Sequence, residues 1–131
     1  MKRFLVIGDL NVDIVLSGMS EFPELGREIK CEDIRTVMGG SASIFACRLA
    51  QLGAKVDIFG KVGEDDYGRI VLNTLRSNSV GTEKVIIEDS ISTGVTVSLT
   101  YPKDKALITF LGSIGALEAL DIKPHLFSGY D

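Results

Sequence analysis

Two short stretches of this 131-residue chain carry side chains able to handle a small polar molecule. The first is Gly8-Asp9-Leu10-Asn11-Val12-Asp13, which gathers two carboxylates and an amide within a few residues. Asn11 and Asp13 stand two apart, so on extended backbone they project to the same side, where they can hydrogen-bond the hydroxyls of a polyol. The same Asp-x-Asn-x-Asp spacing also makes an ordinary Asx-rich turn. The second stretch is Gly39-Gly40-Ser41, placed where an apolar helical segment begins. Glycines at a helix start let a ligand approach the backbone and offer unpaired N–H donors. A glycine pair entering a helix is more often plain turn chemistry. From the residues alone, both alternatives stay open at both sites.

Other chemistry is thinly supplied. His125 is the only histidine, so no histidine-based metal cluster is available, and no metal site is expected. Cys31 and Cys47 give neither a disulfide framework nor zinc spacing. Cys47, on a predicted helix among apolar neighbours, reads as inert core. Glu64-Asp65-Asp66 reads as the acidic start of a helix. No GxxxxGK[ST] loop is present, since Gly60-Lys61 is followed by Val62, and no GxGxxG follows the first strand.

The elements that must position these residues alternate between strand and helix. Arg3–Gly8 is a continuous apolar run of the buried, parallel-strand kind. Ile14–Leu16 continues extended, Ser17–Gly26 is turn-rich, and Arg27–Met38 reads as one or two strands. A helix follows, with Ser41 as N-cap, an apolar stripe of Ile44, Phe45, Leu49 and Leu52, and Gly53 after its end. Lys55–Gly60 is a strand, Asp65 or Asp66 to Asn78 a second helix, and Val85–Ile87 a short strand. Val95–Tyr101 alternates strictly and returns through the turn Pro102-Lys103-Asp104-Lys105 into Ala106–Leu111, an antiparallel hairpin with one drier face. Ser113–Leu120 reads as a short helix and Leu126–Tyr130 as a strand. The sum is an α/β fold: a mostly parallel sheet sandwiched by helices, with β-rich inserts that would become lids over a cleft at the strands' carboxyl ends.

Composition narrows the function. Apolar residues make up 45% and charged residues 24%, a globular balance. The net charge of −4, with no block of like charge, argues against nucleic-acid or acidic-membrane partners. No apolar run reaches ~18 residues, and the apolar start fails as a signal peptide at Asp9, so the cytoplasm is the expected location.

In this order, the motifs resemble the PfkB family of carbohydrate kinases, with its ribokinase-like three-layer α/β/α core and small β-lid. Gly8-Asp9-Leu10-Asn11-Val12-Asp13 is similar to that family's opening strand and substrate loop. Gly39-Gly40-Ser41-Ala42-Ser43-Ile44-Phe45-Ala46, Leu52-Gly53 and Gly60-Lys61-Val62-Gly63-Glu64-Asp65-Asp66-Tyr67-Gly68 are similar to its N-terminal signature. Thr93-Gly94-Val95 with the hairpin resembles the second part of the lid, and Phe127-Ser128-Gly129-Tyr130 a strand before a mid-protein helix.

The resemblance implies ATP-dependent phosphorylation of a hydroxyl on a sugar, sugar phosphate or nucleoside, with Mg²⁺ as the accompanying ion. It implies that Asp13 and Asn11 hold substrate hydroxyls, and that Gly39, Gly40, Ser41 and Ile44 line the substrate site. Lid segments at 14–38 and 93–111, bearing Thr96, Ser98 and Phe110, would close over it. Two positions depart from the family's pattern. Ile44 stands where an asparagine is usual, and Gly112-Ser113-Ile114 stands where Gly-Ala-Asn is frequent. Isoleucine supplies neither donor nor acceptor.

Family members run to double this length or more, and their catalytic aspartate lies in a Gly-Ala-Gly-Asp motif that this sequence does not contain. The expectation is therefore the substrate-binding, N-terminal portion of such a kinase, with no catalytic residue, no tightly held ATP or Mg²⁺, and no kinase activity by itself. The alternatives are an inactive binding or oligomerisation module, pairing as a homodimer through the lid or an open sheet edge, and a degenerate remnant.

Overall fold

The apolar run at the N-terminus enters a parallel sheet, and the chain then alternates between that sheet and a second one set beside it. In the computed structural model, which describes residues 1–131, the strands are β1 (Arg3–Ile7), β2 (Asn11–Ser17), β3 (Asp33–Gly39), β4 (Lys55–Phe59), β5 (Lys61–Gly63), β6 (Val80–Gly81), β7 (Ile86–Glu88), β8 (Gly94–Thr100) and β9 (Lys105–Phe110). The helices are α1 (Ser41–Gln51) and α2 (Asp66–Ser77). Strands β1-β4-β6 form an all-parallel sheet, and β5-β7 a short parallel pair. The remaining four strands form a mixed sheet in the order β3-β2-β8-β9, with β2 antiparallel to β3 but parallel to β8. This is the expected α/β architecture, and the segments expected to form a lid lie in the second sheet, termed the lid sheet. It takes in Asn11 to Gly39 and Gly94 to Phe110.

One cluster of buried apolar side chains joins the elements. Val6, Val56, Ile58 and Val80 from the parallel sheet meet Ala46 and Cys47 of α1, and Val71, Leu72 and Leu75 of α2. Leu10 and Val12, at the passage from β1 into β2, are buried in the same cluster and so anchor the base of the lid. The residues alternating with them on the parallel sheet, Arg3 and Asp57, meet the C-terminal segment. Tyr130 donates its hydroxyl to Asp57 at 2.8 Å, Arg3 pairs with Asp57 at 2.8 Å, and the backbone N–H of Asp131 bonds the Arg3 carbonyl at 3.0 Å.

Helix α1 buries a different face from the one its large residues suggest. Ser43, Ala46 and Cys47 are buried, whereas Ile44, Phe45 and Leu52 of the expected stripe are exposed. Small side chains let the helix lie close to the sheet, and close packing decides the buried face over bulk hydrophobicity. The N-cap is Gly40 rather than Ser41.

The expected helix at Ser113–Leu120 is instead two 3₁₀ turns, Gly112–Ile114 and Ala119–Asp121. With Gly115 inside it and Gly112 immediately before it, so short a segment cannot recover the cost of helix nucleation. The expected strand at Leu126–Tyr130 does not form: Pro124–Phe127 is a 3₁₀ turn, with Pro124 fixing φ at its first position, and Ser128-Gly129 turns after it. The lid hairpin also departs from its expected drier face. Leu99 is buried, but Val95 and Val97 are only half-buried, and Ile108 and Phe110 are exposed on the same side.

Candidate functional site

The site is a cleft of about 510 Å³ between the inner face of the lid sheet and the start of α1. That volume is within the range for small-molecule sites. Three strands build its wall in register. Asp13, Thr96 and Thr109 form one rung, Val15, Ser98 and Leu107 the next, and Ser17, Thr100 and Lys105 the third. Side chains alternate across a strand, so the odd residues of β2 and β9 and the even residues of β8 share this face. The hydroxyls of Thr96 and Thr109 bond each other at 2.9 Å, and those of Ser98 and Thr100 at 3.1 Å.

At the inner end of the cleft, the residues singled out in the sequence converge. Asn11 is buried, and its Nδ2 donates to Asp13 Oδ1 at 3.1 Å, which orients the carboxylate. The Asx-turn alternative does not hold, because Asn11 and Asp13 lie within strand β2. A Cβ at Gly39 would collide with the Asp13 carboxylate. Gly40 has φ +91°, and a Cβ there would come within 2.6 Å of the Asp9 carbonyl oxygen. The glycine pair is therefore required by the packing of β2 against the start of α1.

Asp9 completes this end. Its Oδ2 accepts from the Ser41 backbone N–H at 2.9 Å, and its Oδ1 accepts from the Ser41 hydroxyl at 2.9 Å and the Ala42 N–H at 3.0 Å. Burial pushes the Asp9 carboxyl up, but these three donors outweigh burial and hold it below the ordinary carboxylate range. A carboxylate thus occupies the positive end of α1, a role that no local capping pattern around Ser41 could have revealed.

Of the residues expected at the site, Asn11, Asp13, Gly40, Ser41, Thr96 and Ser98 line the cleft, and Gly39 backs Asp13. Two expected residues do not line it. Ile44 sits on the outer turn of α1 beside a shallow groove with Met38, Gln51 and Asn78. Phe110 is on the opposite face of β9, next to Asp65, Tyr67 and Val95. Both corrections follow from geometry. Ile44 lies one residue beyond the buried Ser43, and Phe110 is out of phase with Thr109 by one strand position.

The cleft also takes in Asp9 and Ile114, and it recruits Val15, Thr100, Lys105, Leu107 and Thr109, which sequence reasoning missed. The hairpin turn held the signal for four of them. It pairs Thr100 with Lys105, which places Leu107 and Thr109 on the Ser98 and Thr96 face. Ile114, the second departure from the family pattern, does reach the cleft.

Within the acidic run Glu64-Asp65-Asp66, it is Asp65 that joins elements of the fold. Asp65 accepts from the Gly68 N–H at 2.8 Å, the Thr93 N–H at 2.8 Å and the Thr93 hydroxyl at 2.7 Å, tying α2 to the start of β8. Burial raises the Asp65 carboxyl, and these bonds more than offset it, so its pKa is lowered. No three His, Cys, Asp or Glu side chains are grouped to hold a metal ion. The cleft does not fit a nucleoside triphosphate. It carries the carboxylates of Asp9 and Asp13 against one lysine, and Asp9 already occupies the first N–H groups of α1.

Comparison with known proteins bears on the whole chain. Residues 1–127 match the pfkB family of carbohydrate kinases. Ribokinase of Bacillus subtilis is 37% identical over 83 residues, which is 63% of this chain and 28% of that protein. The ATP-dependent ribose-1-phosphate kinase of Halopiger xanaduensis is 33% identical over 120 residues, 92% of this chain and 40% of that one. The crystal structure of ribokinase from Cryptococcus neoformans in complex with ADP superposes with a TM-score of 0.72 at 26% identity, covering 86% of this chain and 35% of that one. The chain thus spans well under half the length of these relatives.

Proposed function

The chain belongs to the pfkB family of carbohydrate kinases, and from that premise we propose that it forms the acceptor-binding side of an ATP-dependent sugar or nucleoside kinase. The carrying observation is the Asn11–Asp13 pair, held against Gly39 and set beside the hydroxyls of Thr96 and Ser98 on the same wall of the cleft.

In this reading Asp13 accepts hydrogen bonds from two acceptor hydroxyls and Asn11 fixes its rotamer. The lid residues Thr96 and Ser98 add donors and acceptors, and the lid keeps water from the bound face. ATP and Mg²⁺ supply and activate the phosphoryl group when bound. Because this cleft does not fit a triphosphate, residues outside it hold them. The exposed thiol of Cys31 and the buried one of Cys47 are unpaired, which is consistent with a reducing cytoplasm.

Calorimetric titration of the chain with pentoses, hexoses and nucleosides tests the reading. Saturable binding of one of them, lost in Asp13→Ala, is the expected result. No binding by any member of the panel, phosphorylated sugars included, overturns it.

One observation favours self-association as a second property. Strand β9 is an open edge that exposes Leu107, Ile108 and Phe110, and such edges pair readily with another copy. Light scattering that shows a monomer at high concentration would reject it.

A further inference from the structure

Lys61 is a nearly buried cation that lines no part of the cleft and belongs to no phosphate-binding loop. Its side chain is 12% exposed. Its ammonium donates to the Ala116 carbonyl at 3.0 Å and lies 3.1 Å from Asp121 Oδ2 and 3.6 Å from Glu88 Oε2. An ammonium has three N–H donors and no acceptor, so these partners saturate it. The base of the side chain is fixed as well. Val62, the next residue of β5, is fully buried in the core, and β5 pairs with β7.

Ala116 and Asp121 belong to the run from Gly112 to Asp121, which little else holds. Its regular structure is two 3₁₀ turns, and beyond Ser113 none of its residues is buried. At its start the Ser113 N–H donates to the Ser92 carbonyl at 2.9 Å, and the Ser113 hydroxyl accepts from the Gly94 N–H at 3.0 Å. The next polar ties from this run to the body of the fold are those of Lys61. A segment with so little burial opens locally at low cost unless such ties restrain it. Between the two anchors stands Ile114. It packs on Gly94, where a Cβ would come within 2.7 Å of Ile114 Cδ1. Gly94 is the β8 partner of Asn11, so Ile114 is held at the inner end of the cleft.

Resting on the acceptor-binding reading above, we propose that Lys61 is a positioning residue for the cleft: by clamping Ala116 and Asp121 it keeps Ile114 on Gly94, and so fixes the wall beside Asn11 and Asp13. Glu88 steadies the clamp from β7. Lys61 itself does not touch the bound molecule.

Lys61→Met tests this. It leaves no orphaned carboxylate, because Asp121 still accepts from the Glu118 N–H at 2.8 Å and Glu88 from the Ser90 hydroxyl at 3.1 Å. Asp121→Asn breaks the same clamp from its more exposed side and decides the matter if Lys61→Met fails to fold. Lys103→Met, which removes a lysine from the exposed hairpin turn, is the control. Amide hydrogen exchange of the chain without ligand should quicken at Ser113 and Ala116 by at least roughly tenfold in Lys61→Met, the size of one hydrogen bond to a charged group. Asp121→Asn should quicken the same amides, and Lys103→Met should leave them unchanged.

Affinity is the second readout, by calorimetric titration with the pentoses, hexoses, nucleosides and phosphorylated sugars used above. Whichever binds the parent chain should bind Lys61→Met roughly three- to tenfold more weakly. In an Ile114→Ala chain, adding Lys61→Met should cost no further affinity, since the clamp acts through Ile114. A lysine that served stability alone would lower the melting temperature without that coupling. Unchanged exchange at Ser113 and Ala116 in both clamp variants would overturn this inference and leave the acceptor-binding reading standing. So would quickened exchange with affinity unchanged, or additive losses in the double variant. Binding of no member of the panel by the parent chain overturns both.

Discussion

Asp9 and Ser41 are joined twice, backbone N–H to Oδ2 and side-chain hydroxyl to Oδ1, each at 2.9 Å. This pair fastens the end of the first strand to the first turn of α1. It sets the position of Gly40, and with it the inner end of the cleft.

Removing that fastening should loosen the site before it unfolds the chain. Asp9→Ala is expected to cost about 1–2 kcal/mol, the range for losing a helix N-cap, and Asp9→Asn less. Urea denaturation compared with the parent measures it. An Asp9→Ala chain as stable as the parent would show that the carboxylate contributes nothing to the helix start.

The same contacts predict acid sensitivity. Asp9 and Asp65 both have folded-state pKa values below the ordinary range. Their ionised forms therefore stabilise the native chain at all pH values above about 4, and that contribution is lost as pH falls through the lowered values. Stability measured between pH 6 and 2 should decline below pH 4, and the decline should be shallower in Asp9→Asn.

Gly40→Ala should be severe. The substitution forces a side chain into left-handed backbone and against the Asp9 carbonyl, at a combined cost of about 2–4 kcal/mol. Thermal denaturation reports it. The same change at Gly26, which has positive φ but open space around it, should cost only the backbone part, about 1–2 kcal/mol.

Asp13→Asn should separate binding from folding. Asp13 is half-buried and its listener within the chain is Asn11 alone, so denaturation midpoints should barely move. Sugar affinity should fall by about ten- to a hundredfold, the value of charged hydrogen bonds exchanged for neutral ones. By contrast, Ile44→Asn should leave affinity within about twofold, as exposed positions away from a site do.

At the other end of the chain, burial, the hydrogen bond to Asp57 and the Asp57 charge push the Tyr130 phenol up to about 12. The protonated phenol therefore stabilises the folded form fully below pH 10, and this is lost as pH rises from 10 to about 12. Phenolate absorbance should show a step near pH 12 that vanishes in Tyr130→Phe. Hydrogen exchange at Asp131 and Arg3 should quicken over the same interval.

Much of this was legible in the residues because it rests on short-range rules. The apolar run at Phe4–Ile7, the glycine pair before α1, the acidic cap of α2 and the alternation of Val95–Tyr101 each follow from local backbone preference, and each is in place. So is the shared side of Asn11 and Asp13, which needs only an extended backbone. Where local signals compete, reading by periodicity alone went astray. Bulk apolar residues marked the wrong face of α1, and Pro124 and Gly112 turned an expected strand and an expected helix into 3₁₀ turns.

What the sequence determined by itself is the order of strands and helices and which residues carry polar chemistry. Tertiary structure alone decided which of them meet. The parallel pairing of β2 with β8 aligns Asp13 with Thr96 and sets Lys105 two rungs away, while Phe110 turns to the opposite face. The capping of α1 by Asp9 joins residues far apart in the chain. The reason is physical: backbone propensity acts over a few residues, whereas register and facing are set by burial of the common core, which only the folded chain possesses.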